Sequence, residues 1–311
     1  MLYPIRHQLA APLVALLLAC LYQPLLADTR TIPTAYGDVT VEGQPESIVT
    51  LYEGALDSAI AVGAQPVGAI ITRGGQSVAS YIEEAAGVIE IVGAPGETNL
   101  EAVIALQPDL ILAAARTSEE QYQLLSRIAP TVVLAVTPYQ HDTWKRELAL
   151  FARALGREDR ARDVIERVEQ RAAEVRRQVE TVIPEDQRDT ALVRWMPQGP
   201  LVMAEGLFSA TVLASAGFEV DDAGLVSEGR PHSQPLSQEN LSLMDRNWIF
   251  LATLNEDGRE ALEAARQAPA FKRLVANESG RILPVDGTLW TSASGPLAAL
   301  AILDEIEAAL K

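Results

Sequence analysis

Residues 99–116 read NLEAVIALQPDLILAAAR, and residues 237–253 read SQENLSLMDRNWIFLAT. With Glu101 laid on Glu239 the two stretches share one pattern without a gap. Val103 falls on Leu241, Leu106 on Met244, Leu110 on Trp248, Ile111 on Ile249 and Leu112 on Phe250. Each copy reads as a short helix followed by a strand that is apolar at every position. Such a strand is buried on both faces, as in a parallel sheet covered by helices. A chain that carries this unit twice, far apart, is constrained to two α/β halves. The glutamate in each first turn is partly a local preference, because a helix N-terminus favours negative charge.

The segments around each copy extend the alternation. In the first half, strands are expected over 39–41, 48–51, 66–71, 89–92, 110–114 and 131–136, with helices over 53–62, 77–86, 100–106 and 118–128. In the second half, strands fall over 190–195, 248–251 and 281–285, with helices over 208–216, 239–244, 259–265 and 296–310. Between them, residues 157–181 carry Ala161, Val164, Val168, Ala172, Val175 and Val179 at spacings of three and four on an otherwise charged segment. As a helix this segment spans about 37 Å, roughly the width of a domain. The fold class is α/β: two lobes with mainly parallel sheets, joined by one long helix. The expected divisions are a leader over 1–27, an N-terminal lobe over 28–150, a connecting segment over 151–183 and a C-terminal lobe over 184–311.

The first residues, MLYPIRHQLAAPLVALLLACLYQPLLADTR, set Arg6 and His7 before an apolar run, which is the pattern of an export signal with cleavage after Ala27. Leu17-Leu18-Ala19-Cys20 offers an alternative, a lipoprotein box that lipidates Cys20. Pro12 and Pro24 argue against a membrane anchor. Cleavage after Ala27 removes the chain's only cysteine, so thiol chemistry and disulfides are excluded from the exported protein. A net charge of −17 repels nucleic acid.

Several motifs in order carry a family resemblance. They are Pro45-Glu46-Ser47-Ile48-Val49, Gly63-Ala64-Gln65-Pro66-Val67-Gly68 and Asn99-Leu100-Glu101 with Pro108-Asp109-Leu110-Ile111. Ile128-Ala129-Pro130-Thr131-Val132, the long helix, and Leu236-Ser237-Gln238-Glu239 complete the set. Over about residues 30–311 the chain resembles the periplasmic substrate-binding proteins of iron–siderophore and cobalamin ABC importers, most closely the ferric-dicitrate and siderophore branch. The resemblance implies a helix-backed two-lobed monomer that captures a ferric siderophore or ferric citrate and hands it to an inner-membrane ABC permease. It implies that iron arrives as part of the transported ligand, with no further cofactor, and that Glu101 and Glu239 dock into arginine pockets of the permease. Haem and cobalamin binders share this fold and stand as the alternative.

Ligand sites in open α/β sheets lie beyond the carboxyl ends of strands. That rule selects Tyr52, Arg73 and Arg116 in the first lobe. In the second it selects Arg194, Trp195, Trp290, and Arg230 with His232 in the loop SEGRPHSQP. Guanidinium forks and aromatic faces suit an anionic chelate rich in oxygen acceptors. Direct metal capture is not expected, because His141 and His232 are the only histidines beyond the leader and no ligand cluster surrounds them. A periplasmic hydrolase is the remote alternative. No G-x-S-x-G or H-E-x-x-H is present, and Gly75-Gln76-Ser77-Val78-Ala79 is a near miss.

Overall fold

The computed structural model describes residues 29–135 and 139–311. The expected leader, with Ala27 and Cys20, lies outside the described residues, as does the end of the strand expected over 131–136. Among the described residues no helix is long and apolar enough to cross a membrane.

An antiparallel hairpin, β1 (Thr29–Thr34) and β2 (Gly37–Glu42), opens the described chain and sends Ile32, Val39 and Val41 into the core. The N-terminal sheet contains β3 (Ile48–Thr50), β4 (Gly68–Ala69) and β5 (Glu90–Ile91). After the small hairpin β6 (Gly93–Ala94) and β7 (Glu97–Thr98) it takes in β8 (Leu110–Ala113) and β9 (Thr131–Val133). Its order is β5-β4-β3-β8-β9, with every pairing parallel. Helices α1 (Glu53–Ala61), α2 (Ser80–Ala86), α3 (Leu100–Ala105) and α4 (Glu119–Leu125) connect the strands. Every residue of β8 is buried, as its unbroken apolar sequence requires.

Two helices follow, α5 (Thr143–Ala154) and the long α6 (Glu158–Val182). All six residues of the stripe expected on α6 are buried, and Pro184 follows its end. The second sheet holds β10 (Asp189–Met196), β11 (Gly199–Val202), β12 (Glu219–Val220), β13 (Trp248–Thr253) and β14 (Ile282–Asp286). Its path is β11-β10-β13-β14, with β12 beside the start of β10; β11 alone is antiparallel. The helices here are α7 (Phe208–Ser215), α8 (Glu256–Arg266), the short α9 (Pro269–Lys272) and α10 (Val275–Glu278), then α11 (Gly287–Thr291) and α12 (Pro296–Ala309). The repeated unit therefore places β8 and β13 equivalently, each inside its sheet with a parallel neighbour on both sides.

The two copies differ in their helices. Asn99 caps α3 by accepting from the amide of Ala102 at 3.1 Å, and a regular α-helix follows. At the second copy, the hydroxyl of Ser237 donates to Glu239 at 3.0 Å instead of capping the backbone, and residues Gln238–Met244 form a tighter 3-10 helix. The strands β1, β6, β7, β11 and β12 and the helices α5, α9, α10 and α11 fall outside the elements expected from the sequence.

The lobes are tied together beside the long helix. Arg171 of α6 pairs with Asp304 at 2.7 Å and Glu307 at 3.1 Å on α12. A more buried tie comes from α1. Asp57, fully buried, accepts from the backbone amides of Leu297 and Ala298 at 2.9 and 2.8 Å and from the hydroxyl of Tyr81 at 3.0 Å. A carboxylate from the first lobe thus caps the last helix of the second. Gly295 precedes that helix at φ 118°, and a Cβ there would lie 2.5 Å from the Asp57 carboxyl carbon.

Asp57→Ala leaves the amides of Leu297 and Ala298, the second of them buried, without this acceptor and should lower unfolding free energy by about 2–3 kcal/mol, read from urea melts. Burial pushes the Asp57 carboxyl up to about 7, although its two backbone partners oppose the shift. A raised carboxyl favours the folded state when protonated. That stability is complete below the ordinary carboxylate range near 4 and is lost as pH rises towards 7. The stability of the wild type relative to Asp57→Asn should therefore fall across this window. A difference that is flat with pH would contradict the assignment.

Candidate functional site

The carboxyl ends of both sheets open onto one cleft of about 440 Å³, within the size range of small-ligand sites. Tyr52 and Glu53 follow β3, Arg73 follows β4, and Arg116 follows β8. From the second lobe come Arg194 near the end of β10, His232, and the segment Thr291–Ser294 after β14. Helix α5 adds Trp144 and Glu147, and α7 adds Phe208. Five of the eight expected ligand residues, Tyr52, Arg73, Arg116, Arg194 and His232, are brought together here.

The other three are placed elsewhere. Side chains alternate along a strand, so neighbours on β10 face opposite ways. Arg194 shares the face of Leu192 and reaches the cleft, whereas Trp195 joins Val193 on the other face. There Trp195 is 3% exposed and meets Phe271 edge-on at 5.8 Å. Trp290 follows β14 as expected, but the turn of α11 carries it into the core. It stacks on Phe250 at 5.0 Å, and its indole N–H donates to Glu305 at 2.5 Å. Both tryptophans are core residues. Arg230 is exposed, and its neighbours Pro231 and His232 line the cleft in its stead.

The cleft keeps its charges apart. Arg194 is 8% exposed and makes one long contact, from Nη1 to the hydroxyl of Thr291 at 3.5 Å. Among the described residues its buried Nε has no partner. Burial, and then the positive charge of Arg73, hold its guanidinium below the usual range. Among the described residues neither Arg73, Arg116 nor Arg194 forms a salt bridge. A desolvated guanidinium without a counter-ion is costly unless one arrives with a ligand. His232 Nδ1 lies 2.8 Å from the carbonyl of Ser233, to which only an N–H can donate, so Nε2 is turned free of that bond.

Two carboxylates line the same space. Glu53, at the start of α1, accepts from the amide of Arg73 at 3.2 Å and the hydroxyl of Thr72 at 3.4 Å. Glu147, 4% exposed, accepts from the hydroxyl of Tyr52, which in turn meets Ser294 at 3.1 Å across the lobes. Burial raises Glu147 to about 7, with Tyr52 pulling it the other way, and burial beside Glu147 raises the Tyr52 phenol. The approach is close enough that Gly54 has no room for a Cβ between Tyr52 and Ser294.

Glu53 and Glu147 are absent from the residues selected by sequence. Glu147 carried a legible signal. It falls between Trp144, Leu148 and Phe151 on what becomes the buried face of α5, a place where a carboxylate needs a reason.

Glu101 and Glu239 lie outside the cleft lining and are exposed. Each stands in the first turn of a helix that runs back to the amino end of β8 or β13. Both are therefore on the carboxyl-end side of their sheets, the side on which the cleft opens. One acidic group with metal-ligand spacing exists among the described residues, Glu205, Asp221 and Asp222. None of the three lines the cleft, although Glu205 precedes the lining residue Gly206, and their carboxylates are engaged by backbone amides and Arg246.

Comparison with known proteins agrees with this architecture. The profile of a family described as periplasmic binding protein matches residues 48–287. The probable siderophore-binding lipoprotein YfiY of Bacillus subtilis is 28% identical over 288 residues, 90% of this chain and 87% of that protein. The achromobactin-binding periplasmic protein of Dickeya dadantii is 26% identical over 273 residues, 84% of this chain and 85% of that protein. The crystal structure of Staphylococcus aureus SirA complexed with staphyloferrin B superposes with a TM-score of 0.79 at 26% identity, covering 89% of this chain and 97% of that one. The matched span takes in both sheets, the long helix and most of the cleft, and on that ground the chain belongs to the periplasmic binding protein family.

Proposed function

We propose that this protein is an exported solute-binding protein that captures a ferric siderophore or ferric citrate in the cleft and delivers it to the permease of an ABC importer. The observation that carries the reading is Arg194, a buried guanidinium facing Arg73 of the other lobe, with an Nε and a charge that find no carboxylate partner among the described residues. An anionic chelate supplies the missing counter-charge to both lobes at once, through charge-assisted hydrogen bonds to its carboxylate or hydroxycarboxylate oxygens. Relatives named for siderophores and ferric citrate support the choice of cargo. Iron stays within its chelator and needs no protein ligand. Tyr52, Arg116 and His232 complete the polar wall, while Phe208 and Trp144 meet the chelator's apolar skeleton.

Delivery follows from the repeat. Glu101 and Glu239 stand one on each lobe, exposed on the side of the cleft opening, and a permease built as a two-fold assembly offers one arginine pocket to each. The protein acts as a monomer outside the cytoplasmic membrane, exported by its leader. Lipidation at Cys20, if it replaced cleavage after Ala27, would tether it without altering the cleft. The Asp57 tie and the packing of α6 against α12 limit lobe movement to small adjustments around the cargo.

Arg194→Ala should weaken binding of a ferric carboxylate chelate about 10- to 100-fold, as expected for loss of a buried charge-assisted contact. Fluorescence or calorimetric titration of the purified protein measures this, and unchanged affinity would remove Arg194 from the site. The double variant Glu101→Arg with Glu239→Arg should abolish most permease-dependent uptake of radioactive iron while chelate affinity stays within twofold. Normal uptake by that variant rules out docking through these glutamates.

A further inference from the structure

The cleft has a negative side that an all-anionic cargo does not explain. Tyr52 occupies Oε2 of Glu147, and Oε1 has no protein partner among the described residues. Among the described residues no arginine of the cleft pairs with Glu147, although three line the same space. Glu53 lines the same cleft and likewise approaches Tyr52, held by a hydroxyl and a backbone amide rather than by a cation. The guanidinium of Arg194 is equally solitary. A fold that wished only to cancel these charges could have paired them directly. Instead the acidic and basic groups are held by separate elements, α1 and α5 against β10, and among the described residues each is left without a partner of opposite sign. Placing carboxylates of a ligand against ionised Glu147 and Glu53 sets like charges together in a desolvated space, which is unfavourable, whereas an ammonium both pairs with Glu147 and holds its carboxyl in the ionised form.

We propose that Glu147, supported by Glu53, is an acceptor subsite for a protonated amine of the cargo, so that the transported chelate is zwitterionic. Its carboxylates face Arg194 and Arg73, and its ammonium donates to Glu147 Oε1. The inference rests on the ferric-chelate reading and narrows it from anionic chelates in general to those that also carry a free amine. Orientation follows from the same pairing, because a ligand with two unlike ends fits a charge-sorted cleft in one direction only. Tyr52 is then a positioning residue: its hydroxyl fixes the Glu147 carboxylate and leaves one oxygen presented to the cleft.

The test compares two probes, the ferric complexes of a citrate–diamine monoamide with its terminal amine free and with that amine N-acetylated. Calorimetric affinities are measured for the wild type and for Glu147→Gln, each checked by its thermal melt. The wild type should prefer the free amine by about tenfold or more, the scale of one charge-assisted hydrogen bond. Glu147→Gln should bind the acetylated complex as the wild type does and lose the preference. Absence of a preference in the wild type overturns the proposal without use of any variant. A preference that survives Glu147→Gln, or an equal loss for both probes, also overturns it by reducing Glu147 to a packing role. If neither complex binds the wild type, the ferric-chelate reading itself falls, an outcome distinct from binding without preference.

Discussion

The carboxylate of Asp57 on the amino end of α12 is the interaction on which the cleft depends. A helix start leaves backbone amides without intrahelical acceptors. Here the acceptor comes from the other lobe, so the last helix cannot be satisfied unless the lobes are correctly apposed. The same apposition sets Tyr52 against Ser294 and brings the carboxyl ends of both sheets to one space. Gly54 and Gly295 are the cost of this closeness, since a Cβ at either would enter the contact. The long helix then acts on the outside of the joint. Its buried stripe packs against α5, α7 and α12, and Arg171 adds a bridge to α12.

With the lobes fixed, the cleft holds charges that lack partners of opposite sign among the described residues. An arginine exposed at a rim can be neutralised by water and salt, and Arg73 and Arg116 are of that kind. Arg194 is not. Its burial raises the cost of standing alone, and the proximity of Arg73 raises it further. On the proposed reading, a ligand that brings matching charges relieves this cost, and the protein contributes to binding by preorganisation, the desolvation of Arg194 being part of folding.

Much of the fold was legible because it rests on periodicity. The stripe on the long helix, the two buried strands of the repeat and their shared place in the sheets all follow from the spacing of apolar residues. Tyr52, Arg73, Arg116, Arg194 and His232 followed from the rule that sites gather past strand ends. The failures have a common physical origin. Trp195 is one residue from Arg194, and only the phase of β10 relative to the core decides which of them sees the cleft. Trp290 follows its strand, but one turn of α11 rotates it inward. Helix α5 escaped because it starts after Asp142 at φ 61° without a side-chain cap, and because Lys145, Arg146 and Glu147 interrupt its apolar pattern. Its loss hid Glu147 with it.

Glu147 also shows what a buried polar residue can convey once its surroundings are known. On an amphipathic helix, a carboxylate at a core-facing position is destabilising unless something compensates. Tyr52 compensates in part, through one oxygen. If packing alone governed the position, an apolar residue continuing the face of Leu148 and Phe151 would serve better. A carboxyl group there, beside a cleft that also holds guanidinium groups without partners among the described residues, makes sense when the completing partner is carried by the ligand. The acidic wall and the basic wall are then parts of one recognition surface, whose two signs are balanced only in the loaded protein.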